Sequence, residues 1–264
     1  MSHDARVNEV AGFYDAWAVD YDAAYTDWTA SVRMQGGLIA AALADRGVAP
    51  GARVLDCTCG IGTQAIGLAL AGHDVSGSDI SAAEIERARS EAAKFGVPAQ
   101  FVAAELLDLR GTLPDDWTGF DAVITANSLT HMADEQALVR AFEQMRSVCR
   151  TDGIVAVSNR DYDTVGQPAS TTIQRSTSAG MQRVSFQLWD WAADGRSYRM
   201  TDMLLSRPES SDSSSDGEWT VRSRSTRLNA WRRADVEGAA IAAGLLDPRW
   251  HETTWQPIAT FRAR

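Results

Sequence analysis

Hydrophobic and polar positions change their spacing several times along the chain, and each spacing predicts an element. Between residues 7 and 47, apolar and aromatic side chains recur mostly every three or four positions, which predicts two helices with a break near Thr26 and Asp27. Between residues 53 and 158, short apolar runs alternate with helical patterns. The predicted strands are residues 53–57, 74–79, 100–103, 120–126 and 153–158, and the predicted helices are residues 63–71, 82–95 and 134–150.

Strands that alternate with helices predict a parallel sheet with helices on both faces. The expected fold class is therefore α/β and Rossmann-like, with a ligand site outside the carboxyl ends of the strands. Ser81 and Glu84 predict a capping box at the start of the helix over 82–95. The polar residues that follow the predicted strands, and so mark the expected pocket, are Asp56, Asp79, Glu105, Asn127 and Arg160.

The pattern changes after residue 165. Residues 182–191 and 196–205 flank Ala193-Asp194-Gly195, which is typical of a β-hairpin, and residues 218–228 predict a third strand. The polar run at 209–216 predicts a mobile loop. A helix over 233–243 and a strand over 255–264 follow. The expected division is an N-terminal helical lid (1–47), a cofactor-binding core (48–165), an antiparallel β insert over the pocket (166–230) and a C-terminal helix and strand that complete the core sheet (231–264).

Composition narrows the class of protein. The chain has 264 residues and a formal net charge of −10, and an acidic surface argues against a nucleic-acid partner. No apolar run is long enough to span a membrane, so we expect a cytoplasmic protein without a membrane partner; a homo-oligomer stays open. The three cysteines form no disulfide framework and the four histidines show no metal-ligand spacing, so no metal site is expected.

The most specific motif is a glycine-containing loop after the first strand. It begins at Asp56 and continues as Cys57-Thr58-Cys59-Gly60-Ile61-Gly62. The two glycines let the backbone approach a ligand closely, and the next helix directs its free amides toward the same place. Asp79 lies 17 residues beyond Gly62, close to the offset at which an acid binds the two ribose hydroxyls of an adenosine.

Two cofactor classes fit such an adenosine site. The third small position of the dinucleotide pattern is Ala65, which that pattern tolerates, so the spacing does not exclude NAD. Asp56 favours S-adenosylmethionine (SAM), because SAM has no phosphates and carries ammonium and sulfonium cations. We therefore expect SAM as the cofactor and keep an NAD-linked oxidoreductase as an alternative.

The middle of the chain resembles the class I SAM-dependent methyltransferases, and among them the glycine/sarcosine N-methyltransferases and their bacterial small-molecule relatives. The Asp56 loop resembles the first motif of the class. Residues 127–134 (NSLTHMAD), residues 159–163 (NRDYD) and residues 25–28 (YTDW) together with Arg33 resemble segments of the N-methyltransferase branch. The resemblance implies a mostly parallel seven-stranded sheet and methyl transfer from SAM.

The resemblance also implies roles for single residues. Arg33 would bind the SAM carboxylate, Asp79 the ribose, and Glu105 and Leu106 the adenine. The implied cofactor residues are Arg33, Asp56, Cys57, Gly60, Gly62, Asp79, Ile80, Glu105, Leu106 and Asn127, and the implied catalytic and acceptor residues are Tyr25, Asn127, His131, Arg160 and Tyr162.

Arg160 decides the expected acceptor. A buried cation at the end of a strand must pair with an acid, here Asp161 or Asp163, or with an anionic ligand. The predicted function is therefore methyl transfer to a small anionic metabolite, amino-acid-like by the resemblance. The nine tryptophans leave open C-methylation of an isoprenoid diphosphate such as isopentenyl diphosphate, and a non-catalytic SAM-binding protein is a further alternative.

Overall fold

The computed structural model describes residues 3–178, 180–209 and 218–264. Its strands, in chain order, are β1 (Arg53–Asp56), β2 (Asp74–Asp79), β3 (Gln100–Ala103), β4 (Phe120–Ala126), β5 (Cys149–Ser158), β6 (Gln174–Ser178), β7 (Met181–Trp191), β8 (Ser197–Pro208), β9 (Thr220–Asn229), β10 (Leu246–His251) and β11 (Ile258–Arg262). Its helices are α1 (His3–Trp17), α2 (Trp28–Asp45), α3 (Thr63–Leu70), α4 (Ala82–Phe95), α5 (Leu109–Thr112), α6 (Glu135–Val148) and α7 (Arg233–Ala242). Short 3-10 turns cover Tyr21–Ala24, Leu106–Asp108 and Leu129–His131.

Seven strands form the main sheet, in the order β10-β11-β5-β4-β1-β2-β3. The pairs from β5 to β3 are parallel, while β11 is antiparallel to both β5 and β10. One apolar core contains residues of α6 and α7, and a second contains residues of α2, α3 and α4, so helices cover both faces of the sheet. The predicted Rossmann-like fold with a mostly parallel seven-stranded sheet is confirmed.

The strand order also locates the ligand site. From β1 the chain moves outward to β2 and β3, and it then returns to β4 on the other side of β1. The connections therefore diverge above the carboxyl ends of β1 and β4, which leaves a crevice at this switch point.

Two glycines bring α2 and α3 into close contact. A Cβ atom built on Gly36 would overlap the backbone of Gly67, and a Cβ built on Gly67 would overlap the carbonyl oxygen of Val32. The neighbouring Gly37 has no atom within 4 Å of its Cβ position. Because only glycine allows two helix backbones to approach so closely, this pair fixes α2 against the core. The predicted break before α2 is confirmed at Asp27, whose side chain caps the helix by accepting from the Ala30 amide at 2.9 Å.

The insert forms a separate antiparallel sheet in the order β6-β7-β8-β9. Its inner face and α1 share an aromatic cluster that includes Phe13, Trp17, Tyr162, Trp189 and Tyr198. Ion pairs reinforce this contact: Arg183 of β7 lies 3.3 Å from Asp22, and Asp22 lies 2.8 Å from Arg87 of α4. The N-terminal segment is therefore attached to both the insert and the core.

Two strands were not predicted from the sequence, β6 and β10. Pro248 interrupts the apolar pattern of β10, and the strand accommodates it with a register shift between Leu246 and Arg249. The predicted mobile loop at 209–216 lies, apart from Glu209, outside the described residues. The four-part division of the chain stays a prediction. Within the described ranges, the helices are too short or too polar to cross a bilayer.

Candidate active site

A cavity of about 610 Å³ opens at the carboxyl ends of β1, β2, β3 and β4. Helix α1 lies over it, since residues Arg6, Val7, Val10 and Tyr14 all line the cavity. Of the residues predicted from the sequence, those that line it are Cys57, Gly60, Asp79, Ile80, Glu105, Leu106, Asn127 and His131. These residues end or follow β1, β2, β3 and β4, so the ends of four neighbouring strands build one pocket.

The loop after β1 supports the cavity from below. Asp56 is fully buried, and its Oδ1 accepts the Thr58 amide at 3.4 Å. Gly60 and Gly62 both adopt left-handed backbone angles, with φ of 52° and 91°. Burial raises the pKa of Asp56 from 3.8 to about 7, because few partners compensate the ionised carboxylate.

Asp79 closes the loop from the neighbouring strand. Its two carboxylate oxygens accept the amides of Gly60 and Ser81, each at 2.9 Å. Burial is the largest cause of its raised pKa, and these amide donors oppose the shift. Since each carboxylate oxygen has a further lone pair, Asp79 retains acceptor capacity toward the cavity.

Glu84 is a cavity residue that the sequence predicted for a different role. Ser81 caps α4 as expected, with its hydroxyl accepting the Glu84 amide at 3.1 Å. The Glu84 side chain is not the capping partner; it is 1% exposed, faces the cavity beside Gly60 and has no hydrogen-bond partner for Oε1 among the described residues. Burial raises the pKa of Glu84 well above its ordinary value.

Two buried acids that line this end of the cavity, Asp79 and Glu84, fit a cationic cofactor. Glu84 Oε1 lacks a hydrogen-bond partner within the described part of the chain, Asp79 faces the same space, and Asp56 is buried beneath the loop. Burying carboxylates without cations costs free energy, so a ligand with positive charge and hydroxyl donors is favoured there. SAM carries an ammonium, a sulfonium and two ribose hydroxyls, and these acids can hold such groups.

The side of the cavity after β4 contains a hydrogen-bonded pair. The hydroxyl of Tyr14 lies 2.8 Å from His131 Nε2, and both residues line the cavity. Burial, assisted by the charge of Arg6, lowers the pKa of His131 from 6.5 to about 3. His131 is therefore neutral at physiological pH. Beside it, Asn127 adopts a left-handed φ of 59°, a conformation that asparagine tolerates and that often marks a functional position.

Two predicted arginines lie elsewhere. Arg33 is exposed, and its guanidinium stands 6.0 Å from the centre of the Phe95 ring, outside the cavity. Arg160 lies 4.2 Å from the centre of the Trp189 ring and hydrogen-bonds the Tyr198 hydroxyl. Arg160 was predicted to pair with Asp161, Asp163 or an anionic ligand. Asp161 lies 2.7 Å from Arg233, and a ligand at Arg160 stays a prediction.

The remaining predicted residues support the cavity without lining it. Tyr25 hydrogen-bonds Thr63, Tyr21 and Gln35 at the start of α3. The Tyr162 hydroxyl lies 2.7 Å from that of Tyr198 within the aromatic cluster. Asp56 and Gly62 shape the loop from beneath. Polar cavity residues that sequence reasoning did not assign to the site include Arg6, Glu84, Arg227 and Asn229; a capping box marks Glu84, and no motif marks the other three.

Comparison with known proteins agrees with this geometry. Residues 54–153 match the model of the methyltransferase domain family. Over these residues the chain is similar to methyltransferase domains. The predictions of a methyltransferase enzyme and of SAM as its cofactor are confirmed, and NAD is not supported. No curated protein matches the chain.

Solved structures share the fold over nearly the whole chain. DesVI from Streptomyces venezuelae superposes with a TM-score of 0.73 at 18% identity, over 95% of this chain and 97% of that one. CalS10, an amino pentose methyltransferase from Micromonospora echinaspora, gives 0.72 at 17% identity, over 94% and 97%. The sugar N-methyltransferase KedS8 from a Streptoalloteichus species gives 0.70 at 19% identity, over 88% of each chain. These similarities establish the fold.

Proposed function

We propose that this protein transfers a methyl group from SAM to an amine nitrogen of a small molecule of the amino-sugar class. The observation that carries the proposal is the Tyr14–His131 pair, which lies on the cavity beside the acidic cofactor end. The fold similarity to an amino pentose methyltransferase and to a sugar N-methyltransferase supports the same acceptor class.

The chemistry asks little of the protein beyond alignment. SAM, when bound, supplies an electrophilic methyl group on a sulfonium. The Tyr14 hydroxyl, held by the neutral imidazole of His131, can accept a hydrogen bond from an amine N–H, which would direct the nitrogen lone pair across the cavity. A charged imidazolium would repel the positive charge that develops on that nitrogen, so the lowered pKa of His131 suits this role. Helix α1 covers the pocket and excludes water.

The two alternative acceptors have weaker support. The prediction of an amino acid depends on Arg160, which contacts Trp189 and Tyr198 instead of the cavity. The prediction of an isoprenoid diphosphate depends on aromatic side chains around the acceptor. Among the described residues, the aromatic rings that line the cavity are Tyr14, Tyr21 and His131, whereas Trp189 is buried in the cluster beneath the insert.

A turnover panel tests the proposal. Release of S-adenosylhomocysteine from SAM would be measured with glucosamine, glucosamine 6-phosphate, glycine, sarcosine and isopentenyl diphosphate. We expect an amino sugar to react. Tyr14→Phe and His131→Ala should each reduce kcat by at least tenfold while SAM binding is kept, because the first removes the acceptor for the amine and the second removes the group that orients it.

His73→Ala is the matched control, since His73 lies outside the cavity and should leave turnover unchanged. Turnover of glycine or isopentenyl diphosphate alone would replace the amino-sugar class with the corresponding alternative. Equal activity of all three variants would remove the Tyr14–His131 pair from the mechanism.

A further inference from the structure

Two arginines without an assigned role line the same cavity. Arg6 comes from α1 and Arg227 from β9 of the insert. The two residues are adjacent, because Arg6 Nη2 donates to the carbonyl oxygen of Arg227 at 2.7 Å. Arg6 Nη2 also approaches the carbonyl oxygen of His131 at 3.5 Å, so both arginines lie on the β4 side of the cavity.

This cationic side is separated from the acids that fit SAM. Asp15, nine residues after Arg6 on α1, accepts the Ser81 hydroxyl at 2.6 Å at the start of α4, close to Asp79 and Glu84. Nine residues of α-helix span about 13 Å. Helix α1 therefore bridges an acidic end of the cavity and a basic end, with Tyr14 and His131 as part of the wall.

The positive charge at the basic end is poorly compensated. The acid nearest to Arg6 is Glu9, at 3.8 Å in a half-exposed i,i+3 pair, and Arg6 Nε is buried without a partner among the described residues. Arg227 is exposed at the cavity mouth, donates to the Ser197 hydroxyl at 3.0 Å, and has no carboxylate within 4.0 Å in the described ranges. The carboxylate of Asp134 also lines the cavity, but its Oδ1 is engaged as the cap of α6, accepting the Ala137 amide at 2.8 Å.

The insert sheet adds a second cation beside Arg227. Arg199 of β8 is the direct cross-strand neighbour of Arg227. Side chains directly opposite in an antiparallel pair share one face of the sheet, and like charges in such a pair are destabilising. Asp190 of β7 lies opposite Arg199 on the other side of β8, so its negative charge compensates Arg199 and not Arg227. The arrangement therefore favours an anion at Arg227.

We propose that Arg6 and Arg227 bind an anionic group of the methyl acceptor. The substrate is then an amine that also carries a phosphate or a carboxylate, with its nitrogen at Tyr14 and His131 and its anion at the two guanidinium groups. Guanidinium forks bind both anions through paired N–H donors. The amine half of this assignment rests on the proposed function, whereas the anion half rests on the cavity alone.

The test measures anion binding without turnover. Inorganic phosphate and acetate would be titrated separately into the full-length protein saturated with S-adenosylhomocysteine, by isothermal titration calorimetry at low ionic strength. Arg6→Gln and Arg227→Gln should each weaken binding by at least tenfold. Arg175→Gln is the matched control, because Arg175 is exposed on β6 and outside the cavity. Circular dichroism and melting temperatures would verify that every variant is folded.

Each outcome decides the proposal. Binding that is lost in both cavity variants and kept in Arg175→Gln supports it, and the tighter of the two anions identifies a phosphate ester or a carboxylate. The proposal is overturned if neither anion binds, or if Arg175→Gln loses as much as the cavity variants. Specific anion binding without methylation of any amine would leave the subsite standing and reject the proposed reaction instead.

Discussion

Asp56 carries a charge that the protein without cofactor has to bury. Its side chain is fully buried, Oδ2 has no partner among the described residues, and burial raises its pKa from 3.8 to about 7. The folded state therefore binds more protons than the unfolded state between these two pH values. The stability that this carboxyl group contributes to the folded protein is fully present below pH 3.8. It decreases as the pH rises from 3.8 to 7 and no longer changes above pH 7.

The expected magnitude follows from the pKa shift. At ~1.4 kcal/mol per unit, ionisation of Asp56 costs the folded protein about 2 kcal/mol at pH 5.5 and about 4 kcal/mol at pH 8. Asp56→Asn removes this titration. The variant should therefore gain stability relative to the wild type as pH rises from 5.5 to 8, by about 2 kcal/mol. The pH-dependent difference is the useful quantity, because burial of the new amide N–H group adds a cost of ~1–3 kcal/mol that is the same at both pH values.

Urea denaturation of the cofactor-free protein at both pH values measures this difference. Asp115→Asn, at an exposed position, is the control and should follow the wild type. At pH 8, calorimetry should also show SAM binding to Asp56→Asn weakened by about tenfold, ~1.4 kcal/mol. If the wild type and Asp56→Asn lose equal stability between the two pH values, the carboxylate is not ionised at a cost, and its charge does not act on a cofactor in the cavity above it.

Three further predictions concern the core and the cofactor. Gly36→Ala should destabilise the protein by about 1–3 kcal/mol or more in urea denaturation, because its Cβ overlaps Gly67. The control Gly37→Ala, in the same helix, should be neutral or stabilising by ~0.5–1 kcal/mol. Similar losses of stability in both variants would contradict the contact between the two helices. Asp79→Asn should weaken the binding of both SAM and the uncharged-sulfur product S-adenosylhomocysteine by at least tenfold in calorimetry, since it removes an acceptor that serves the ribose; a loss for SAM alone would assign Asp79 to the cation instead. Saturating SAM, at 100 times its Kd, should stabilise the protein by ~2.7 kcal/mol, and NAD should leave the melting temperature unchanged; an equal shift with NAD would argue for a general adenosine site.

The alternation of strands and helices was sufficient to predict the core sheet, because strands that alternate with helices pack as a parallel sheet with helices on both faces. The strand with Pro248 was missed, since its pairing depends on β11 and not on a local pattern. Asp79 was predicted correctly at the cavity because its position is fixed by the end of a strand. The sequence predicted Glu84 as the capping partner of Ser81. A glutamate at the same position in the first turn of a helix can also point into a cavity, so the sequence pattern did not distinguish the two roles.

The arginines show the limit of sequence reasoning more clearly. Arg160 follows β5 as predicted, but the direction of its side chain is set by Trp189 of the insert, which is distant in sequence. Arg6 and Arg227 lie in segments without any motif, and 221 positions separate them. Their proximity depends on how α1 and β9 pack over the core, and a single sequence contains no local signal for such a contact.

Helix α1 connects the two ends of the cavity through one rigid element. Asp15 attaches it to the start of α4, beside the acids that fit SAM, and Arg6 attaches it to β9. A ligand that orders this helix at one end prepares the contacts at the other, and the coupling is reciprocal. We therefore expect ordered kinetics in this enzyme, in which SAM binds first and creates the affinity for the acceptor, and S-adenosylhomocysteine leaves last.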